Sequence, residues 1–138
     1  MTMQQTSSKV TRGKTTAGRL RLVDEYVAGW QLPLPLSSSL SVVDVGFGET
    51  PSTSFDFLQA MQRSGADVAM VATDTHARRV EDAQALASDV MFACEGFDLP
   101  SVADGSVDVI RAMNVLRQYA PETCADVHQQ LAQKLKEG

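Results

Sequence analysis

The segment Val42-Val43-Asp44-Val45-Gly46-Phe47-Gly48-Glu49-Thr50-Pro51 constrains the fold more than any other stretch of the chain. From Ser41 to Val45 the residues are apolar and largely β-branched, which predicts a strand, and the two glycines after it predict a tight turn. Pro51 with Ser52, Thr53 and Ser54 then offers several ways to begin a helix. Gly46 and Gly48 let the backbone take positive φ and let a ligand approach main-chain N–H groups, while the following helix N-terminus is electropositive. Asp44 at the strand's end would repel a pyrophosphate and welcome an ammonium. The plainer alternative is that the glycines only turn the chain and Asp44 caps a helix or loop.

Downstream, the pattern repeats. A helix is expected from Pro51 to Arg63, with Phe55, Leu58 and Met61 inward and Gly65 as its stop. The continuous apolar run Asp67 to Asp74 reads as a strand covered on both faces. Thr75 to Ala87 then predicts a second helix with Ala77, Val80, Ala83 and Leu86 or Ala87 inward, and Arg78, Arg79, Glu81 and Asp82 on a solvated face. A third strand is expected over Asp89 to Cys94 and a fourth from Val107 to about Ala112, with a last helix from Pro121 to Lys136 carrying Cys124, Val127, Leu131 and Leu135 along one side. Ahead of all these, Leu20, Val23, Tyr26, Val27 and Trp30 fall at helical spacing. Leu32-Pro33-Leu34-Pro35-Leu36 follows as a stiff apolar connector.

Asp44-Val45-Gly46-Phe47-Gly48 resembles motif I of the class I S-adenosylmethionine-dependent methyltransferases, with Thr50 standing where that motif often has a third glycine. Glu95-Gly96-Phe97-Asp98-Leu99-Pro100 and the turn Asp104-Gly105-Ser106 resemble the same family's acidic loop and its turn into strand four. The resemblance runs from Asp44 to about Leu116 and implies S-adenosylmethionine as cofactor. It implies that Asp44, Gly46, Phe47 and Gly48 lie by the methionine moiety, Asp74 and Thr75 by the ribose, and Glu95, Gly96 and Phe97 by the adenine. A carboxylate can hold both ribose hydroxyls, and a carboxylate with a main-chain N–H answers the donor and acceptor of an adenine edge. The separation of Gly48 and Asp74 exceeds the ~20 positions of a dinucleotide fingerprint, so the segment from Glu49 to Ser54 is expected to absorb an insertion. Asp74 as a cap of the next helix is the alternative, and His76 is either against the adenine or exposed. Arg111 and Asn114 are the candidates for facing the methyl acceptor; an ion pair and a helix cap are the alternatives. No residue stands out as a general base, and methyl transfer from an activated sulfonium need not have one.

With 138 residues, the chain is expected to form one domain burying roughly 68 % of its unfolded surface. A flexible basic arm over 1–16 precedes a domain over 17–138. Gly13-Lys14-Thr15-Thr16 is not a phosphate loop, because Ser8 stands where that motif needs a glycine. A net charge of -5 disfavours a generally basic nucleic-acid face, which leans the acceptor towards a small molecule over RNA or protein. Cys94 and Cys124 form no ligand pair with each other or with a histidine, so no metal is expected and both thiols are read as reduced. No apolar leader or membrane span is recognised, which points to a cytoplasmic protein. The expected architecture is an α/β, three-layer Rossmann-like sandwich with a mostly parallel sheet ordered three, two, one, four, incomplete after the fourth strand and its helix. Its open edge would favour a homo-oligomer. A nicotinamide-binding domain of oxidoreductase type, and a non-catalytic adenosyl-binding or assembly module, are the alternative readings.

Overall fold

The computed structural model describes residues 18, 20–29, 39–63, 65, 67–86, 88–113, 115–116 and 119–137. The expected arm over 1–16, Trp30, the connector 32–36 and Asn114 lie outside the described residues. Eight elements follow in order: α1 (Arg21–Ala28), β1 (Ser39–Val45), α2 (Ser52–Gln62), β2 (Asp67–Asp74), α3 (Ala77–Gln84), β3 (Val90–Cys94), β4 (Val109–Arg111) and α4 (Pro121–Ala132). The four strands form one sheet ordered β3-β2-β1-β4, and every pairing is parallel. The order matches the sequence expectation; α2 lies between β1 and β2 and α3 between β2 and β3, whereas the connection from β3 to β4 over 95–108 holds no helix.

Alternation along the central strand builds two cores. Leu40 and Val42 face a cluster with Phe57, Met61, Met70 and Phe92, whereas Val43 and Val45 face Leu99, Val107, Val127 and Leu131. Both faces of β1 are therefore buried, which is why its sequence reads as a continuous apolar run.

Five elements depart from expectation. In α1 the buried residues are Asp24 and Val27, while Tyr26 is 70 % exposed, because the helix turns its acid inward to meet an arginine. In α2, Phe57, Leu58, Ala60 and Met61 are buried and Phe55 is half-buried, its ring edge-on to Phe92 at 5.9 Å. Arg79 of α3 is drawn back to 3.6 Å from the Asp74 carboxylate instead of lying on a solvated face. Strand four begins late: the Val107 N–H donates to the Lys134 carbonyl and its own carbonyl accepts from Lys136, both at 2.9 Å. Leu135, expected on the α4 face, lies past the helix end and bridges Val107 there.

Phe57 is wholly buried between α2 and the sheet, so Phe57→Ala is expected to cost about 3–5 kcal/mol in urea unfolding. Leu22 sits 74 % exposed on the outer face of α1, and Leu22→Ser should stay within about 0.5 kcal/mol in the same measurement.

Candidate functional site

In an open parallel sheet a ligand site forms beyond the carboxyl ends of the strands where successive connections diverge. Here that place is between β1 and β4, since β2 and β3 extend the sheet on the other side of β1. The tip of β1 runs into the glycine turn, and Gly46 and Gly48 take φ of 74° and 91°, which only glycine adopts without strain. The N–H groups of Gly46 and Phe47 both donate to the Thr73 carbonyl, at 2.7 and 3.1 Å. Gly48 donates to Asp74 Oδ2 at 3.0 Å. The expectation that this turn offers free N–H groups to a ligand is therefore corrected: the tip of β2 takes all three.

Asp74 is buried at that tip, and its Oδ1 accepts from the His76 N–H at 2.9 Å, holding the entry to α3. The helix-start role considered from sequence is present, and the same carboxylate also braces the glycine turn. Thr75 is half-buried and its carbonyl accepts from the Cys94 thiol at 3.7 Å, while His76 is exposed. Just past β3, the Glu95 N–H donates to the Asp74 carbonyl at 3.2 Å, which sets Glu95 beside Asp74. Its Oε1 accepts from the Ser101 N–H at 3.0 Å, and its Oε2 is buried with no hydrogen-bond partner. A lone acceptor hidden from water is costly unless something donates to it. Gly96 is half-buried and its carbonyl accepts from Leu99 at 3.4 Å. Phe97 is buried edge-on to Tyr119 with ring centroids 5.6 Å apart. Phe47 is likewise buried, edge-on to Phe92 at 5.2 Å. Both phenylalanine rings thus pack into the cores, leaving their backbones to border the edge.

Arg111, a candidate for facing an acceptor, points inward. Its Nε reaches Asp44 Oδ1 at 3.1 Å and its Nη2 reaches Asp44 Oδ2 at 2.8 Å, a bidentate pair. Nη2 also donates to the Thr53 carbonyl at 3.0 Å, and Nη1 pairs with Asp24 Oδ1. The guanidinium lies over the Phe57 ring, 4.0 Å from its centroid. Ser54 Oγ donates to Asp44 Oδ2 at 2.7 Å, so both oxygens of Asp44 are engaged. Asp24, Thr53 and Ser54 are not among the site residues expected from the sequence, where Thr53 and Ser54 were read only as a helix start. A signal for Asp24 was there, since Leu20, Asp24 and Val27 fall on one helical face.

Two carboxylates share one guanidinium, and Asp24 carries the imbalance. Its carboxyl is raised from the ordinary 3.8 to about 6, chiefly by burial, with Arg111 pulling it down and Asp44 and Asp56 adding to the rise. Its Oδ2 is buried without a partner. Among the described residues, no group of three histidine, cysteine or acidic side chains could hold a metal ion. No helix there is long and apolar enough to cross a membrane. A groove of about 320 Å³ between α1 and α2 is lined by Glu25, Ala28, Gly29, Ala60 and Arg63, and lies by the end of α2 remote from the glycine turn.

No protein-family model matches the chain, and no curated protein sequence matches it significantly. Solved structures do match its fold. The plantazolicin methyltransferase BpumL, in complex with a pentazolic desmethylPZN analog and SAH, is 18% identical with a TM-score of 0.62, over 86% of this chain and 43% of that one. A chain of the Haloferax volcanii complex containing the Trm112 methyltransferase activator is 22% identical with a TM-score of 0.60, over 88% of this chain and 49% of its own length. The S-adenosylmethionine-dependent methyltransferase from Mesorhizobium loti is 18% identical with a TM-score of 0.58, over 88% and 51%. This chain has the α/β Rossmann-like fold of these proteins and spans about half their length.

Arg111→Met leaves Asp24 and Asp44 buried without a counter-charge, and is expected to cost about 3–5 kcal/mol in chemical unfolding. Asp24 also predicts a pH signature. Its native carboxyl titrates at about 6 and an unfolded one near 3.8, so between those values the native state holds a proton the unfolded state has released. The stability it contributes is complete below about pH 4 and lost as pH rises through about 6. The melting temperature of the wild type relative to Asp24→Asn should therefore fall from pH 4 to pH 7 and level off above; a flat difference across that range would contradict the assignment.

Proposed function

We propose that this chain is the cofactor-binding part of an S-adenosylmethionine-dependent methyltransferase. The observation that carries this reading is that the ligand edge presents acceptors where a dinucleotide would need donors. The turn N–H groups that could cradle a pyrophosphate are spent on Thr73 and Asp74, and Pro51 removes a further N–H at the start of α2. In their place stand the carboxylates of Asp74 and Glu95 at successive strand tips, with Glu95 Oε2 unpartnered, while the oxygens of Asp44 are engaged by Arg111 and Ser54. An adenosine carrying an ammonium and a sulfonium suits such an edge; a pyrophosphate does not. The shared fold with methyltransferases, some solved with SAH, supports the same reading.

In this proposal Glu95 Oε2 accepts from the adenine amino group, with the Gly96 and Phe97 backbone along the ring. Asp74 accepts the ribose hydroxyls beside Thr75, using lone pairs left over from its bonds to Gly48 and His76. The bend from Gly46 through Phe47 to Gly48 supports the methionine moiety by its shape, with Asp44 paired to Arg111 behind it. When bound, the cofactor supplies a methyl group already activated for direct in-line attack. What the chain's residues contribute is position and a field of matching sign, the larger share of catalysis when no proton need move. Asn114, at the same edge by sequence, is proposed to face the acceptor. The acidic balance favours a small-molecule acceptor, and the two free cysteines are in keeping with a cytoplasmic setting. Association of copies through the open sheet edge is also proposed.

Thermal melting with S-adenosylmethionine, S-adenosylhomocysteine and NAD tests this. The first two are expected to raise the melting temperature and NAD to leave it unchanged; the reverse pattern would overturn the proposal. Glu95→Gln, which sets an amide N–H₂ against the adenine amino group, should weaken S-adenosylhomocysteine about tenfold by calorimetry, the scale of one lost hydrogen bond to a charged group.

A further inference from the structure

The acid that the sequence motif offers to a ligand ammonium is Asp44, and the structure leaves it no free oxygen. Arg111 takes both Oδ1 and Oδ2, and Ser54 adds a third bond. Asp24 differs. Its Oδ1 is paired with Arg111, but its Oδ2 has no partner although the residue is 2 % exposed. The cluster of Asp24, Asp44 and Arg111 holds one more negative than positive charge, enclosed where water cannot screen it. A buried carboxylate oxygen with neither water nor donor is a poor resting state and a good seat for a small cation.

We infer that Asp24 Oδ2 on α1, not Asp44, is the acceptor for the α-ammonium of the bound sulfonium nucleoside, with Arg111 and Asp44 acting as the fixed frame that aims it. This rests on the S-adenosylmethionine reading above and refines it. Three features support it. The frame stands at the tips of β1 and β4, because Asp44 is the penultimate residue of one strand and Arg111 the last of the other. An ammonium completes the cluster at two positive and two negative charges. Third, α1 packs on the core through Val23, Val27 and Ala28 with Leu22 and Tyr26 outward, which holds Asp24 against this frame.

The test compares ligands that differ only beyond the sulfur. S-Adenosylhomocysteine carries the ammonium and carboxylate; 5′-methylthioadenosine carries neither but keeps adenine, ribose and thioether. By calorimetry at pH 7.5, Asp24→Asn is expected to weaken S-adenosylhomocysteine about tenfold or more, the scale of a charge-assisted bond, and to leave 5′-methylthioadenosine unchanged. Equal weakening of both ligands would mean that Asp24 only holds α1, and would overturn the inference. So would S-adenosylhomocysteine binding that the variant leaves intact, with the methyltransferase reading still standing. Failure of the wild type to bind either ligand would instead sink that reading, and the inference with it.

If Asp24→Asn does not fold, the wild type alone decides. The groups facing Asp24 are Arg111 from β4, Asp44 from β1 and Asp56 from α2, and burial raises the Asp24 carboxyl to about 6. The affinity ratio of S-adenosylhomocysteine to 5′-methylthioadenosine should then climb about tenfold between pH 5 and pH 7 as Asp24 ionises. A ratio that stays flat would overturn the inference.

Discussion

The Arg111 guanidinium is the interaction on which the rest of the structure depends. It joins α1 through Asp24, β1 through Asp44, α2 through the Thr53 carbonyl and the Phe57 ring, and its own strand β4. β4 has only three residues, too few for its ladder alone to fix register against β1. Arg111 and Asp44 are directly opposed partners across that pairing. A slip by one residue would send the arginine to the other face and bury Asp44 uncompensated, so the ion pair specifies a register that apolar packing alone would leave loose. Such a pair gains little net energy over a well-packed apolar one; its value here is that every alternative alignment is worse.

The glycine turn obeys a second constraint. Its three N–H groups are all taken by the end of β2, through one carbonyl and one carboxylate. The turn is thereby locked to the neighbouring strand before any ligand arrives, and its shape is preorganised. Preorganisation has a chemical consequence, since a bend whose donors are spent recognises by its contour and by nearby acceptors. The same residue spacing that cradles phosphate in other sheets here leaves a bend with no N–H to spare for one.

Much of this was legible in the sequence, because the relevant signals are local. The run Val42 to Gly48 fixes a strand and turn, the run ending in Asp74 fixes a second strand covered on both faces, and the order of the acids follows from the order of the strands. What stayed hidden depends on contacts between distant segments. Asp24 and Arg111 are 87 positions apart, and although Asp24 shares a helical face with Leu20 and Val27, nothing local marks its pairing with Arg111. Tyr26 looked like the inner face of α1 because hydrophobicity was the guide; the helix is instead rotated by a charged contact that no periodicity encodes. The shortness of β4 was equally hidden, since Val107 is diverted by backbone bonds to Lys134 and Lys136 far along the chain.

Gathering acids at one edge of a sheet ought to repel and unfold it, and the way each is satisfied explains why it does not. Asp74 is held by two main-chain N–H groups and the neighbouring Arg79. Asp44 is neutralised by a bidentate arginine and a serine hydroxyl. Glu95 is half-satisfied by the Ser101 N–H, and Asp24 is half-satisfied by Arg111. The two unfilled oxygens, Glu95 Oε2 and Asp24 Oδ2, belong to elements on opposite sides of the central strand pair in the sheet order: β3's end on one flank, and the frame at β4 on the other. Thr73 Oγ1 is likewise buried without a partner, and an unfilled acceptor in the interior is costly until a donor reaches it. In the proposed complex, a ligand with a donor at each end, an amino group on an adenine and an ammonium on an amino-acid tail, would span that edge and fill both carboxylate oxygens.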